Sequence, residues 1–213
     1  MKIFFRKSAE KSHVQMINKK SISLLLLILI TVFFTIILNL IVQAKPLINI
    51  TTNYYSVTGK TVQEIANNLY NNSPVVFQGK KYHAYTSWNV KWNFYWQKYS
   101  NYCQITSVKT SVDVKYTLPK LISYSGLSSP IKKKWDSYYK ALINHEEGHK
   151  NFGVNSAQNI EKAILNMDKK NTCPELKKSA NNIAHNIIKK YVDREKEYDR
   201  ITHYGVKQGA IFP

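Results

Sequence analysis

The chain has 213 residues, with 31 Lys and Arg against 13 Asp and Glu, for a formal net charge of +18. That length allows one domain with an appendage, and 44% hydrophobic residues with only 7 Gly and 6 Pro exclude a disordered or collagen-like chain. Two cysteines are too few for a disulfide-stapled miniprotein or a four-cysteine zinc site, and no glycine-rich loop is present to cradle a dinucleotide.

The first predicted element is a membrane address. Ile22 to Val42 is almost wholly apolar, broken only by Ser23, Thr31, Thr35 and Asn39. At 1.5 Å per residue it would reach roughly 30 Å, one hydrocarbon thickness. Lys2, Arg6, Lys7, Lys11, Lys19 and Lys20 precede it, against the single acid Glu10. Positive charge stays on the cytoplasmic side, so everything after Lys45 is expected outside. Residues 1–20 then read as a basic cytoplasmic segment, 21–44 as a single-pass signal anchor in a bacterial cytoplasmic membrane, and 48–213 as the exported domain. The competing reading is a long signal peptide cleaved near Ala44, after Val42-Gln43, which would release a secreted or periplasmic protein. The part beyond Ala44 keeps 25 basic and 12 acidic residues. Such a surface suits an anionic membrane surface or envelope polymer, or is simply solvated; outside the membrane, nucleic acid is not the expected partner.

Residues 48 to about 118 read as strands with one short helix. Tyr54–Val57 is a short strand ended by Gly59. Thr61 caps a helix, with Glu64 as its capping-box partner, and Asn71-Asn72-Ser73-Pro74 stops it. Trp88, Val90, Trp92, Phe94 and Trp96 then share one face of a strand, with Asn89, Lys91 and Asn93 opposite. Tyr95 breaks that polarity, which points to a bulge or a second buried face. Thr106, Val108, Thr110, Val112, Val114, Tyr116 and Leu118 share a face of the next strand. Both patterns predict antiparallel strands covered on one side, with the tryptophans packing inward rather than forming a ligand platform.

The second half is helical. Ser129 reads as an N-cap with Pro130 at the first helical position, and Trp135, Tyr138, Leu142, His145, His149, Phe152, Ser156 and Ile160 form one stripe on a helix expected to reach about Lys169. Pro174 opens a second helix with the stripe Leu176, Ala180, Ile183, Ile187 and Tyr191. The short join makes the two helices antiparallel neighbours. With export and an even cysteine count, Cys103 and Cys173 are expected to form a disulfide between sheet and hairpin.

The first stripe contains His145-Glu146-Glu147-Gly148-His149, an H-E-x-x-H motif. Residues four apart on a helix share a face, so the two imidazoles can converge on one metal, with Glu146 placed to take a proton from water. Both histidines replace apolar residues of a buried stripe, and buried polar groups need partners. Antiparallel packing brings the second helix past the motif near Glu195. The shortlist for a third ligand is therefore Asp199, His203 and Glu195, while His185 lies too far along the axis and off the apolar face. Zinc is the expected ion. A catalytic zinc site keeps an open position, whereas a closed four-ligand site would make the protein a non-catalytic envelope or interaction module.

Read together, Tyr55 to Thr61, His83 to Trp92, Thr117-Leu118-Pro119, the H-E-x-x-H run, Cys173, Tyr198 to Thr202 and Gly205 to Ala210 resemble the DUF922 family, described as secreted zinc-dependent proteases. The resemblance covers roughly residues 54–213. It implies metal at His145 and His149, a catalytic role for Glu146, and weight for Asp199. The family pattern has a histidine immediately before the glycine matched by Gly205. Here that place is Tyr204, with His203 one residue earlier, so Tyr204 or His203 becomes the candidate transition-state hydrogen-bond donor. The expected fold is α+β: a small antiparallel sheet packed against a long antiparallel helical hairpin carrying H-E-x-x-H, zincin-like, behind one N-terminal transmembrane helix. The expected activity is zinc-dependent hydrolysis of proteins, peptides or the peptide stems of cell-wall polymer.

Overall fold

The computed structural model describes residues 45–213. The predicted cytoplasmic segment and the signal anchor, 1–20 and 21–44, lie outside the described residues, and among the described residues no helix is long and apolar enough to cross a membrane.

The described elements run β1 (Leu47–Val57), α1 (Val62–Asn72), β2 (Val75–Phe77), β3 (Lys80–Tyr82), β4 (Tyr85–Lys98), β5 (Cys103–Leu121), α2 (Ser129–Leu165) and α3 (Cys173–Thr202), with short 3-10 turns at Tyr124–Gly126 and Val206–Gln208. The fold is α+β as expected, with a three-stranded sheet ordered β1–β5–β4 and a separate β2–β3 hairpin.

The sheet corrects the expectation in one respect: it is mixed. β4 pairs antiparallel with β5, but β1 pairs parallel with it, from Leu47 opposite Ser111 to Val57 opposite Leu121. Only Tyr54–Val57 was legible as strand because Ile48 and Ile50 stay exposed and Thr51, Thr52 and Asn53 follow them, leaving no one-sided burial pattern. Backbone pairing to β5, rather than burial, makes residues 47–53 a strand.

α1 begins as expected. Thr61 Oγ1 accepts from the Glu64 N–H, and the Glu64 carboxylate accepts from the Lys60 N–H, one residue before the cap itself. Along β4 and β5 the pairing slips between Tyr95 and Trp96: Tyr95 faces Ser107 but Trp96 faces Ile105. Thr106 is the extra residue, and it is exposed. The bulge reverses the side-chain phase of β5, so Ile105 and Cys103 are buried in place of the expected Thr106, while Trp96 keeps the face of Phe94 and lies, partly exposed, beneath the Lys177 ammonium.

α2 lies across β4 and β5 and buries Trp135, Tyr138, Leu142, Ile160 and Ile164 against Val108, Val112, Val114 and Leu118. Each such side chain removed from water stabilises the fold by about 1.5–3 kcal/mol. Ser128, not Ser129, is the N-cap, and it makes no side-chain cap bond. The helix ends at Leu165, short of the expected Lys169. The reason is tertiary: Lys170 exchanges two backbone hydrogen bonds with Cys103, at 2.7 and 3.0 Å, drawing the join into a β-bridge. The expected disulfide is present beside it, Cys103 to Cys173, with Cα atoms 5.2 Å apart. Thr172 caps α3 by accepting from the Glu175 N–H. α3 then runs back antiparallel along α2, setting Tyr191 beside Asn159, Glu195 beside His149 and Asp199 beside His145.

Candidate metal centre

The site is built where the middle of α2 meets the last two turns of α3. His145, Glu146 and His149 are all buried, on the face of α2 turned toward β4 and α3. Three ligand atoms converge there. His145 Nε2 and His149 Nε2 are 3.2 Å apart, and Asp199 Oδ1 lies 3.3 Å from the first and 3.0 Å from the second. Asp199 Oδ1 is buried and has no directed hydrogen bond, so the contacts are close without an N–H aimed at the oxygen.

The far nitrogens explain the orientation. His145 Nδ1 lies 2.8 Å from Gln208 Oε1, and His149 Nδ1 lies 2.9 Å from Glu195 Oε1. Both partners are acceptors, so each Nδ1 carries a proton and each Nε2 turns its lone pair into the triangle. Two imidazole lone pairs and a carboxylate oxygen facing one another repel unless a cation sits among them. Ligands bound at about 2.0–2.1 Å in a tetrahedron lie roughly 3.3 Å apart, close to the spacing found. His145, His149 and Asp199 could therefore hold a metal ion together.

The electrostatics agree. Burial pushes the His149 pKa down, but its contacts with Asp199 and Glu195 outweigh that and raise it to about 10. Burial raises Asp199, but its contacts with His145 and His149 prevail and lower it to about 2. Both shifts run against burial, so the triangle favours positive charge at its centre. Glu146 sits beside it, its carboxylate accepting from Thr86 Oγ1 at 2.5 Å. Burial raises the Glu146 pKa, against the opposing pull of Thr86 and the two imidazoles.

The structure sorts the third-ligand shortlist. Asp199 joins the triangle. Glu195 stands behind His149 and also accepts from Trp88 Nε1 at 3.0 Å. His203 caps α3 in the left-handed region, exposed, and is not in the group. Tyr204 follows, also left-handed at φ 54°, half exposed, with its ring 5.0 Å from that of Tyr82 at the rim. Two consecutive non-glycine residues at positive φ are strained, a feature that collects at functional sites. His83 is half-buried, with Nδ1 2.9 Å from the Tyr138 hydroxyl. His185 is exposed, against Trp92.

Sequence reasoning missed Thr86, Tyr198, Gln208 and the reason for Gly148. Tyr198 stacks on His145 with ring planes 14° apart, and a Cβ at Gly148 would collide with the Tyr198 hydroxyl. Gly205, at φ 84°, lets the turn that carries Gln208 back onto the site pass His145; a Cβ there would lie 3.0 Å from the imidazole. A glycine in mid-helix inside H-E-x-x-H was the one available signal of such close approach.

Every element of this site lies within the stretch that matches a known family: residues 52–205 match the one described as "Bacterial protein of unknown function (DUF922)", with only Gln208 beyond it. The chain belongs to the DUF922 family. No curated protein and no solved structure matches it. Within this DUF922 chain, the matched stretch spans the whole sheet beyond Thr51, the hairpin, and Asp199.

Proposed function

We propose that this protein is a zinc-dependent peptidase whose domain works outside the cytoplasmic membrane, anchored by residues 21–44 or freed by cleavage near Ala44. The observation that carries the reading is the triangle of His145 Nε2, His149 Nε2 and Asp199 Oδ1, each edge 3.0 to 3.3 Å, with a buried Glu146 next to it. Two imidazoles and one carboxylate are a common catalytic zinc set, and three ligands leave a fourth position free. A bound zinc ion would polarise a carbonyl and acidify water.

The remaining work falls to the chain. Glu146, steered by Thr86, takes the proton of the attacking water and returns it to the leaving amine. Glu195 and Gln208 keep both imidazoles in the tautomer that faces the ion. Tyr204, held at the rim by a strained turn, donates a hydrogen bond to the oxyanion. An extended substrate adds to the free edge of β4 through backbone hydrogen bonds. The substrate is a protein or a peptide, with cell-wall peptide stems favoured by the cationic surface.

The test compares wild type with Glu146→Gln on a mixed peptide library, with zinc measured in both. Gln keeps size and hydrogen bonding but cannot accept the proton, so zinc should stay bound while turnover falls by about two to four orders of magnitude. Equal turnover in the two proteins would overturn the mechanism. Zinc retained with no turnover in either would favour a non-catalytic module in which the ion only braces the hairpin.

A further inference from the structure

His83 is fixed both at its backbone and at its ring. The Tyr55 hydroxyl donates to the His83 carbonyl at 2.8 Å, and the Tyr138 hydroxyl lies 2.9 Å from His83 Nδ1. Tyr138 is 2% exposed, and among the described residues Nδ1 is the one hydrogen-bond partner of its hydroxyl. A buried O–H without an acceptor is costly, so Tyr138 donates and Nδ1 accepts. Burial agrees with that assignment: it raises the Tyr138 pKa and lowers that of His83, so the phenol keeps its proton and the imidazole is neutral. The ring proton then sits on Nε2. Nε2 has no hydrogen-bond partner among the described residues, where the one buried polar side-chain atom left unpaired is Asp199 Oδ1. The Nε2–H of His83 is therefore open to solvent.

The neighbours of His83 place that donor beside the metal centre. Tyr82, just before it, packs against Tyr204 at the rim, and Thr86, three residues after it, holds Glu146. Tyr138 lies two turns before His145 on α2, with Phe212 packed edge-on against it at 5.3 Å. His83 thus stands between the rim and the general base, just ahead of β4.

We propose that His83 is a substrate-binding residue, its Nε2–H donating to a backbone carbonyl of the peptide about three residues from the scissile bond. The inference rests on the peptidase reading, in which an extended substrate lies along the β4 edge. With the scissile bond at Glu146, beside Thr86, three residues of extended chain span roughly 10 Å and reach His83. A neutral N–H suits a carbonyl, whereas a terminal carboxylate would call for a charged partner. A donor already locked by Tyr55 and Tyr138 loses little freedom when the peptide arrives, so the contact favours binding of longer substrates.

The experiment uses the zinc-loaded full chain in detergent, carrying Glu146→Gln so that peptide binds without being cut. Peptides that this protein retains from a mixed library are shortened one residue at a time from each end and titrated by calorimetry. Adding His83→Asn keeps an acceptor for Tyr138 in the place of Nδ1 and puts nothing in the place of Nε2. Binding should weaken about five- to tenfold, the worth of one neutral hydrogen bond, with zinc content and melting curve unchanged. His83→Gln, which returns an amide N–H to the place of Nε2, should recover most of that loss. Shortening the peptide past the bonded carbonyl should weaken binding by the same factor where His83 is present, and no further in the His83→Asn protein. Imidazole nitrogen NMR should find the His83 proton on Nε2, and Tyr138→Phe should mix the two tautomers. Equal losses on shortening in both proteins, or a proton on Nδ1, would overturn the proposal; the peptidase reading would still stand if wild type cleaves the library and Glu146→Gln does not. Peptide bound by neither protein would overturn the proposal together with that reading.

Discussion

Asp199 and His149 hold pKa shifts of opposite sign, and each sign has its own consequence for metal-free protein. Asp199, lowered to about 2 from 3.8, stabilises the fold above its unfolded value and loses that contribution as pH falls toward 2. His149, raised to about 10 from 6.5, stabilises below its unfolded value and loses that contribution as pH rises through 10. Their shared contact should therefore stabilise metal-free protein most between about pH 4 and 6.5. A metal must displace the His149 proton, so binding near pH 7 should release about one proton and tighten as pH rises. Calorimetry in buffers of different ionisation heat measures that proton; an affinity flat from pH 6 to 8 would contradict the assignment. Glu195 is tested separately. Removing the acceptor behind His149 by Glu195→Ala should weaken metal binding by about 10–100-fold in a chelator competition, while Glu195→Gln, which keeps an oxygen there, should weaken it less.

The elements hold these residues through the join between the helices. Cys103 opens β5 and Cys173 opens α3, and the bond closes a loop of 70 residues. In the chain-entropy account such a loop contributes about 4 kcal/mol. Cys103→Ser with Cys173→Ser should lower the melting temperature by several degrees, with the Lys170 bridge still pinning the join. Unchanged melting in the double variant would mean that the backbone bridge and helix packing suffice alone. The same element scale explains the shape of the hairpin. Antiparallel packing turns two histidines one turn apart on α2 into a site only because α3 brings Asp199 and Glu195 one turn apart in matching register.

At the scale of the whole molecule, metal and fold are linked. Ligands from both helices and a bracing residue beyond α3 can converge only when the hairpin and the final turn are in place. An ion that binds this folded arrangement and not the unfolded chain stabilises by about 2.7 kcal/mol at a hundredfold excess over its dissociation constant. Chelation should therefore lower the melting temperature, and Asp199→Asn should abolish most of that difference without unfolding the protein. A melting curve indifferent to chelator, in protein first shown to contain metal, would remove the linkage.

The sequence by itself determined the parts whose cause is local. H-E-x-x-H at helical spacing put two imidazoles and a carboxylate on one buried face, the capping residues Thr61 and Thr172 placed helix starts, and alternation announced β4 and β5. Counting along an antiparallel hairpin reached Glu195, one turn short of Asp199. Tertiary structure decided the rest. It chose Asp199 over Glu195 inside the triangle because the two share a face about 6 Å apart along the axis, and only the packing of α3 on α2 sets which of them meets both Nε2 atoms. It recruited Gln208 from a turn beyond the helix, a contact with no sequence period to betray it. It made β1 a parallel strand because backbone pairing to β5 needs no burial of its side chains, and burial is the signal that periodicity reads.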